Sequence, residues 1–206
     1  MSEPWLERWA EGRIGWHQPQ GNDSLKRYWR PGERRVLVPL CGKSYDLVWL
    51  EEQGNEVVGV ELSDIAAQAF FDENALEFRR VAGGTRFEAV DRRITIVCRD
   101  YFSFHDDGFD GYFDRGALAA LPRSMRGDYA AHSSERLAAN AFQLIITLEY
   151  DETIASGPPF SIDGEEILSY WPGLERVAAY DDIANCPPKF RDAGLKEMTE
   201  VVWRSP

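Results

Sequence analysis

Cysteine is scarce. The three present, Cys41, Cys98 and Cys186, are far apart, odd in number and form no CxxC pair. That argues against a disulfide frame and for reduced thiols in a reducing compartment. Histidine is equally rare. His17, His105 and His132 match neither HExxH nor a Cys/His zinc spacing, so no metal site is expected. No apolar run approaches the ~18 residues that would indicate a membrane span. The opening stretch MSEPWLERWAEGR carries charges where a signal peptide would carry its apolar segment. Positive charge is also short: 23 Lys and Arg against 35 Asp and Glu give a formal net charge of −12. A polyanion needs a basic face to release its counterions, which argues against nucleic acid and anionic membrane as partners. The expectation is a cytoplasmic monomer with a small-molecule partner.

What is present is a core. Hydrophobic residues make up 44% of the 206 and aromatics 13%, enough to bury a sizeable interior. No linker or internal repeat interrupts the chain, so residues 1–206 read as one domain. Residues 1–30 form an aromatic-rich segment suited to a lid, and residues 34–206 form the core. RRVLVPL, NEVVGVEL, ITIVCRD, FDGYFDRG, FQLIITLEY and KEMTEVVWRS read as strands. Helices are expected over SYDLVWLEEQG with Ser44 as N-cap, SDIAAQAFFDENAL with Ser63 as N-cap, RSMRGDYAAHSSERLAA and IDGEEILSYW. Alternating strands and helices predict an α/β fold, a mostly parallel sheet covered on both faces. The last two strands have no helix between them, so the last is expected to run antiparallel. Residues 78–93 read as a hairpin.

The stretch VLVPLCGKSYDLVWL ends its strand in Cys41-Gly42-Lys43-Ser44, letters that look like the tail of a P-loop. A P-loop needs a glycine five residues before Gly42, and that position is Leu37, inside the strand. The turn is too short to wrap a triphosphate. The dinucleotide fingerprint GxGxxG also fails, because Gly42 stands alone. One part of that logic survives. Glu61 ends the second strand about 20 residues on, where an acid accepts the two hydroxyls of a ribose. Alone, Gly42 is an ordinary turn and Glu61 a solvated strand end. Together, at successive strand ends of one sheet, they favour a crevice for an adenosine ligand without phosphates, and S-adenosyl-L-methionine is such a ligand.

Four stretches carry a more specific signal: WLERWAEGRIGWHQ (5–18), VLVPLCGKSYDLVWLEEQGNEVVGVELSDIAAQAFF (36–71), FDRGALAALP (113–122) and GPPFSID (157–163). In these the chain closely resembles the thiopurine S-methyltransferase family; beyond residue 165 the likeness rests on CPPKFRDAGL. The resemblance implies a Rossmann-like class I methyltransferase with a seven-stranded sheet and an antiparallel last strand. It implies cofactor contacts at Trp9, Leu40, Glu61 and Arg115, and an adenine site at Arg99, Asp100 and Tyr101. Trp16 stands where the family usually has Phe, in the segment closing over the acceptor. Lys189 falls where members often carry Arg near the substrate, and Lys cannot make the planar two-point contact of Arg. The implied activity is methylation of small aromatic or heterocyclic thiols, with selenium or tellurium nucleophiles as an alternative. An NAD-binding oxidoreductase and a non-catalytic nucleoside-binding protein are the rivals from other classes.

Methyl transfer from a sulfonium disperses charge, so alignment and exclusion of water matter more than an oxyanion hole. Trp5 and Trp9, four residues apart on one helical face, suit a lid, and an equally good account is a helix packed on the core. Arg115 suits the methionine carboxylate or an anionic acceptor. Phe160, after two stiffening prolines, is a candidate wall of the acceptor pocket. Asp100 and Asp114 resemble a carboxylate pair, yet no residue declares itself as a catalytic base. Cys41 reads as buried filler, and His17 as a structural hydrogen-bonding residue beside Trp16. Removing Glu61 is expected to weaken cofactor binding and leave the fold intact.

Overall fold

The computed structural model describes residues 3–15 and 17–206, with Glu3 and Pro4 described by backbone alone. Helix α1 (Glu3–Ala10) and helix α2 (Asp23–Tyr28) precede strand β1 (Arg35–Pro39). Then come α3 (Asp46–Glu52), β2 (Glu56–Glu61), α4 (Asp64–Glu73), β3 (Phe78–Val81), β4 (Arg86–Ala89) and β5 (Ile94–Cys98). Strand β6 (Phe109–Arg115) leads into α5 (Ala117–Ala120), α6 (Arg123–Arg136) and β7 (Leu137–Glu149). The chain closes with α7 (Gly164–Tyr170), β8 (Glu175–Asp181), α8 (Pro188–Asp192) and β9 (Thr199–Arg204).

All nine strands form one sheet in the order β3-β4-β5-β2-β1-β6-β7-β9-β8. Strands β5, β2, β1, β6 and β7 run parallel, and antiparallel pairs finish both edges. Strand β9 runs antiparallel to β7, as expected. The seven-stranded count is corrected to nine. The expected hairpin, β3 and β4, joins the sheet edge through β5 and adds two strands to the seven from β5 to β8.

Why these segments become central strands follows from burial on both faces. Along β1, Val36 and Val38 enter the layer beneath α2, α3 and α4, whereas Leu37 enters the layer beneath α5, α6 and α7. Val57 and Val58 divide the same way on β2, Phe113 and Tyr112 on β6, Ile146 and Ile145 on β7. A strand with two covered faces must be apolar throughout, which is why these runs do not alternate with polar residues. Each fully buried Val or Ile contributes roughly 1.5–3 kcal/mol, far more than local strand propensity. A third cluster of Ala155, Cys186, Phe190, Leu195 and Met198 seats the segment around α8.

Two local features bear on the site. The hydroxyl of Ser63 accepts the Ala66 N–H at 3.3 Å and caps α4 as expected. Ser44, however, does not cap α3: that helix begins at Asp46 with Tyr45 at the cap position. Residues 41–44 are spent in the turn instead, closed by the Ser44 N–H donating to Cys41 O at 3.2 Å. The thiol of Cys41 is buried as filler against Gly59, where an added Cβ would lie 2.6 Å from Sγ.

Candidate active site

In an open parallel sheet, ligands bind outside the carboxyl ends of the strands where strand order reverses. Here the chain builds β2 and β5 on one side of β1 and then crosses to place β6 on the other. That rule points to the ends of β1 and β6, flanked by the end of β2, as the place for a ligand crevice. Pro39-Leu40 closes β1, Glu61 closes β2 and Arg115 closes β6.

The turn after β1 is bent by two left-handed residues, Leu40 at φ 45° and Gly42 at φ 55°. For a leucine that conformation costs ~1–2 kcal/mol, so the turn is held by its surroundings. Three of its amides are already used. The Cys41 N–H donates to Val60 O at 3.0 Å, Ser44 N–H to Cys41 O, and Gly42 N–H to Glu61 Oε2 at 2.8 Å. The other oxygen of Glu61 accepts the Ser63 N–H at 2.7 Å. With these three N–H groups engaged, the turn offers them to no pyrophosphate. A carboxylate has about four lone-pair sites, so Glu61 keeps acceptor capacity for a diol. That donor set fits a nucleoside without phosphates. Glu61 is only 6% exposed. Burial pushes its pKa up, and backbone N–H bonds from Ser63, Gly42 and Leu62 pull it partly back. Glu61 also holds the turn itself, so its removal carries a cost in stability.

Trp9 lies on this turn. An added Cβ at Gly42 would sit 3.1 Å from its ring carbon Cζ2, so the residue there must be glycine both for its φ and for the indole above it. Trp5, one turn earlier on α1, carries the Arg8 guanidinium 4.8 Å from its ring centre. Arg8 in turn is close enough to Lys189 to help depress its pKa, after burial as the larger cause. Helix α1 thus bridges from the Gly42 turn to the Lys189 segment. The packed-helix account is what the structure describes, with Trp9 seated on the Gly42 turn.

Arg115 stands where several elements converge. Its charge acts as a lesser, downward influence on His17, Asp46 and Asp182, which belong to the segment between α1 and α2, the start of α3 and the segment after β8. Burial is the first cause at His17, downward, and at both aspartates, upward. The neighbouring Asp114 is fully buried and accepts four hydrogen bonds, from Ala117 N, Leu118 N, Tyr129 OH and Tyr112 OH. Asp100 is exposed after β5, and its Oδ1 accepts the Phe102 N–H at 2.9 Å. The two aspartates do not form a pair.

Tyr101 points inward. Its side chain is buried in the layer under α6, with its hydroxyl 2.8 Å from Ser133 Oγ and its ring beside Tyr129 and His132. The chain turns inward after Asp100 to fill that layer. Phe160 is tied to the Arg115 corner, since its N–H donates to Ala119 O at 2.7 Å. Its ring packs on Gly157 and stands 5.4 Å from the Arg126 guanidinium carbon. It also borders a cleft of about 1050 Å³ with Tyr150, Arg123 and Leu195. Lys189 Nζ donates to Ser156 O at 3.1 Å. Trp16 lies outside the described residues. Among the described residues no group of three or more His, Cys, Asp or Glu side chains is arranged to hold a metal ion, and no helix is long and apolar enough to cross a membrane.

One functional feature escaped the sequence reading. Asn22 is clamped between two buried carboxylates: its N–H donates to Asp46 Oδ1 at 2.7 Å and its Nδ2 to Glu200 Oε2 at 3.1 Å. Ser24 Oγ donates to the other Glu200 oxygen at 2.5 Å. This pins the hinge between α1 and α2. The run Asn22-Asp23-Ser24, a helix-capping composition, is the signal that would have located the anchor, though not its partners.

Comparison with known proteins follows the same line. The sequence profile described as Thiopurine S-methyltransferase (TPMT) matches residues 1–205. A protein named thiopurine S-methyltransferase from Bordetella petrii is 42% identical over 214 residues, covering 98% of this chain and 97% of that one. One of the same name from Pseudomonas putida is 42% identical, covering 97% of this chain and 96% of its own. Among solved structures, the 1,6-didemethyltoxoflavin-N1-methyltransferase of Burkholderia thailandensis, crystallised with S-adenosylhomocysteine, superposes with a TM-score of 0.64. It is 17% identical, over 98% of this chain and 86% of that one. An arsenic (III) S-adenosylmethionine methyltransferase from Chlamydomonas reinhardtii gives 0.63 at 13% identity, over 89% and 70%. At these identities the structural likeness speaks for the fold.

Proposed function

The chain belongs to the thiopurine S-methyltransferase family, and from that premise we propose that it methylates the sulfur of a small aromatic or heterocyclic thiol, using S-adenosyl-L-methionine. The cofactor supplies an electrophilic methyl group on a sulfonium. Everything else in the reaction is alignment and exclusion of water, which is the work of this chain's residues.

Glu61 receives the ribose hydroxyls, and the Gly42 turn brings backbone close to the nucleoside. Asp100 and the main chain around Tyr101 flank the adenine. Arg115 pairs with the methionine carboxylate and adds positive potential that favours an anionic acceptor. Trp9 closes the crevice from above, and an aromatic face near a sulfonium contributes ~0.5–2 kcal/mol of cation–π attraction. Phe160 walls the acceptor side, and Lys189 offers a point charge there. Trp16 is an acceptor-side candidate on the family resemblance alone. Aromatic thiols ionise near neutral pH, so the acceptor arrives as thiolate without a dedicated base.

The observation that carries this reading is the Glu61 carboxylate bonded to both Gly42 and Ser63 beneath Trp9, in a turn whose amides are closed to pyrophosphate. An acceptor screen with radiolabelled methyl donor tests it, comparing thiopurines, thiophenols, selenite and tellurite. Methylated thiols with release of S-adenosylhomocysteine are expected. Turnover confined to selenite or tellurite, or none with any acceptor, refutes the substrate assignment.

A further inference from the structure

We propose that Asp114 is the positioning residue of the Arg115 turn, working through a buried chain of hydroxyls that reaches from β6 to the turn after β5. This rests on the reading that Arg115 grips the cofactor. Asp114 makes its contacts on both sides. Toward the crevice, Oδ1 accepts the N–H groups of Ala117 at 3.2 Å and Leu118 at 3.3 Å, the start of α5. These bonds fix the bend at Gly116, φ 86°, and with it the backbone from which Arg115 projects. Away from the crevice, Oδ2 accepts Tyr129 OH at 2.7 Å and Tyr112 OH at 3.3 Å.

The chain continues behind it. Tyr112 OH lies 3.0 Å from Tyr129 OH and 3.2 Å from Ser133 Oγ, and Ser133 Oγ lies 2.8 Å from Tyr101 OH. Every one of these groups is buried. A count of protons shows what controls their direction. An ionised Asp114 accepts all four donors. A protonated Asp114 must donate its own hydrogen, and the buried oxygens nearest to Oδ2 are those of Tyr129 and Tyr112. Whichever hydroxyl receives that hydrogen, Tyr129 OH being the nearer, must then turn its own hydrogen away, and the hydrogen-bond direction along the chain behind it reverses. The charge on Asp114 therefore sets both the grip on α5 and the orientation of the hydroxyls as far as Tyr101, at the adenine end.

The groups facing Asp114 are Tyr112 from β6, Tyr129 from α6 and, at longer range, Tyr101 from the turn after β5. Arg115 follows it in the chain, and Arg136 acts on Tyr101 from α6. Burial outweighs the donated bonds and lifts the Asp114 pKa from 3.8 to about 6. With the proton on Oδ2, Oδ1 holds the two α5 amides as a neutral carbonyl in place of a carboxylate, so the charge-assisted grip on the turn weakens as pH falls through that value.

Calorimetric binding of S-adenosylhomocysteine between pH 5 and 8 tests the proposal in three proteins. In the natural chain, affinity should be level near pH 8 and fall up to tenfold per pH unit below about 6, following a single protonation. Tyr129→Phe removes the shortest bond to the carboxylate, so the fall should begin at higher pH, with affinity at pH 8 kept within about threefold. Asp114→Asn mimics the protonated acid and should bind at least tenfold more weakly at pH 8, with the limb near pH 6 abolished. Should Tyr129→Phe fail to fold, Tyr112→Phe, which removes the longer bond, must move the limb the same way by less. A role confined to packing would lower thermal stability without moving the limb. Unmoved limbs in the tyrosine variants, or an Asp114→Asn protein that keeps the limb near pH 6, overturn the proposal. No binding by the natural chain at any pH would instead overturn the cofactor reading.

Discussion

Replacing Glu61 by Gln changes one atom and separates the two duties this residue performs. The carboxylate accepts Gly42 N–H at 2.8 Å and Ser63 N–H at 2.7 Å. An amide of the same size has one oxygen for two inward-pointing donors, and its NH₂ faces the second. One buried N–H loses its acceptor, at a cost of ~1–3 kcal/mol in folding stability. Binding loses a charge-assisted bond to a ribose hydroxyl, worth ~1.5–3 kcal/mol, and every 1.4 kcal/mol is tenfold. The cofactor dissociation constant should therefore rise roughly 10- to 150-fold, with a lowered but cooperative unfolding transition. Calorimetry with S-adenosylhomocysteine, paired with urea unfolding of the free protein, reads both quantities. Unchanged affinity in a destabilised protein would show that Glu61 only holds the turn, and the ribose assignment would fall.

Three further outcomes are expected. Gly42→Ala puts a side chain at φ 55° and 3.1 Å from Trp9, so it should weaken cofactor binding, and adding Trp9→Ala should recover part of the loss; strictly additive effects in the double-mutant cycle would deny the contact. Arg126, buried beneath Phe160, bonds Glu166 at 2.9 and 3.0 Å. Breaking such a pair one-sidedly costs ~3–5 kcal/mol, so Arg126→Met should lower the urea midpoint sharply and the Arg126→Met, Glu166→Leu double variant much less; a mild single variant contradicts this. Asn22→Ala removes the Nδ2 bond to Glu200 and the side-chain cap on the Leu25 N–H while keeping the main-chain bond to Asp46, and should speed limited proteolysis within residues 11–21 while the core resists. Cutting at the unaltered rate would show that the clamp does not hold the lid.

How much of this could be read from sequence depends on where the physics is local. The central strands were legible because burial on both faces demands apolar runs, and Val36–Val38 and Val57–Val60 supply them. Strand β8 was not. It lies at the sheet edge with its residues exposed or half-buried, so ERVAAYD carries no apolar run to mark it. Ser44 has the composition of a helix cap, but the tight turn after β1 consumed it. Gly42 and Glu61 were legible as a pair because their spacing is fixed by one strand–helix–strand unit. The clamp on Asn22 joins it to Glu200, 178 residues away, and no local pattern records that meeting. The direction of the Tyr101 side chain, into the layer under α6, is likewise recorded by no local pattern. Which way a side chain faces after a strand end is decided by the layer it fills, here the hydroxyls of Ser133, Tyr112 and Tyr129.

The turn after β1 also explains why letters so close to a P-loop do unrelated work. A phosphate site needs backbone N–H groups pointing outward and unpaired. In this turn Val60 O, Glu61 Oε2 and Cys41 O take up three of them. The short turn cannot wrap a phosphate, and the neighbouring carboxylate repels one. What suits that surface is a ligand that donates hydrogen bonds to an acid and presents little negative charge to the bend.

Competition calorimetry on the unmodified protein reaches the centre of this account: S-adenosyl-L-methionine, S-adenosylhomocysteine, adenosine and NAD are each titrated under one condition. Saturable binding of the first two, with weaker adenosine and no detectable NAD, is the predicted order. Tight binding of NAD, or indifference to all four, would contradict it.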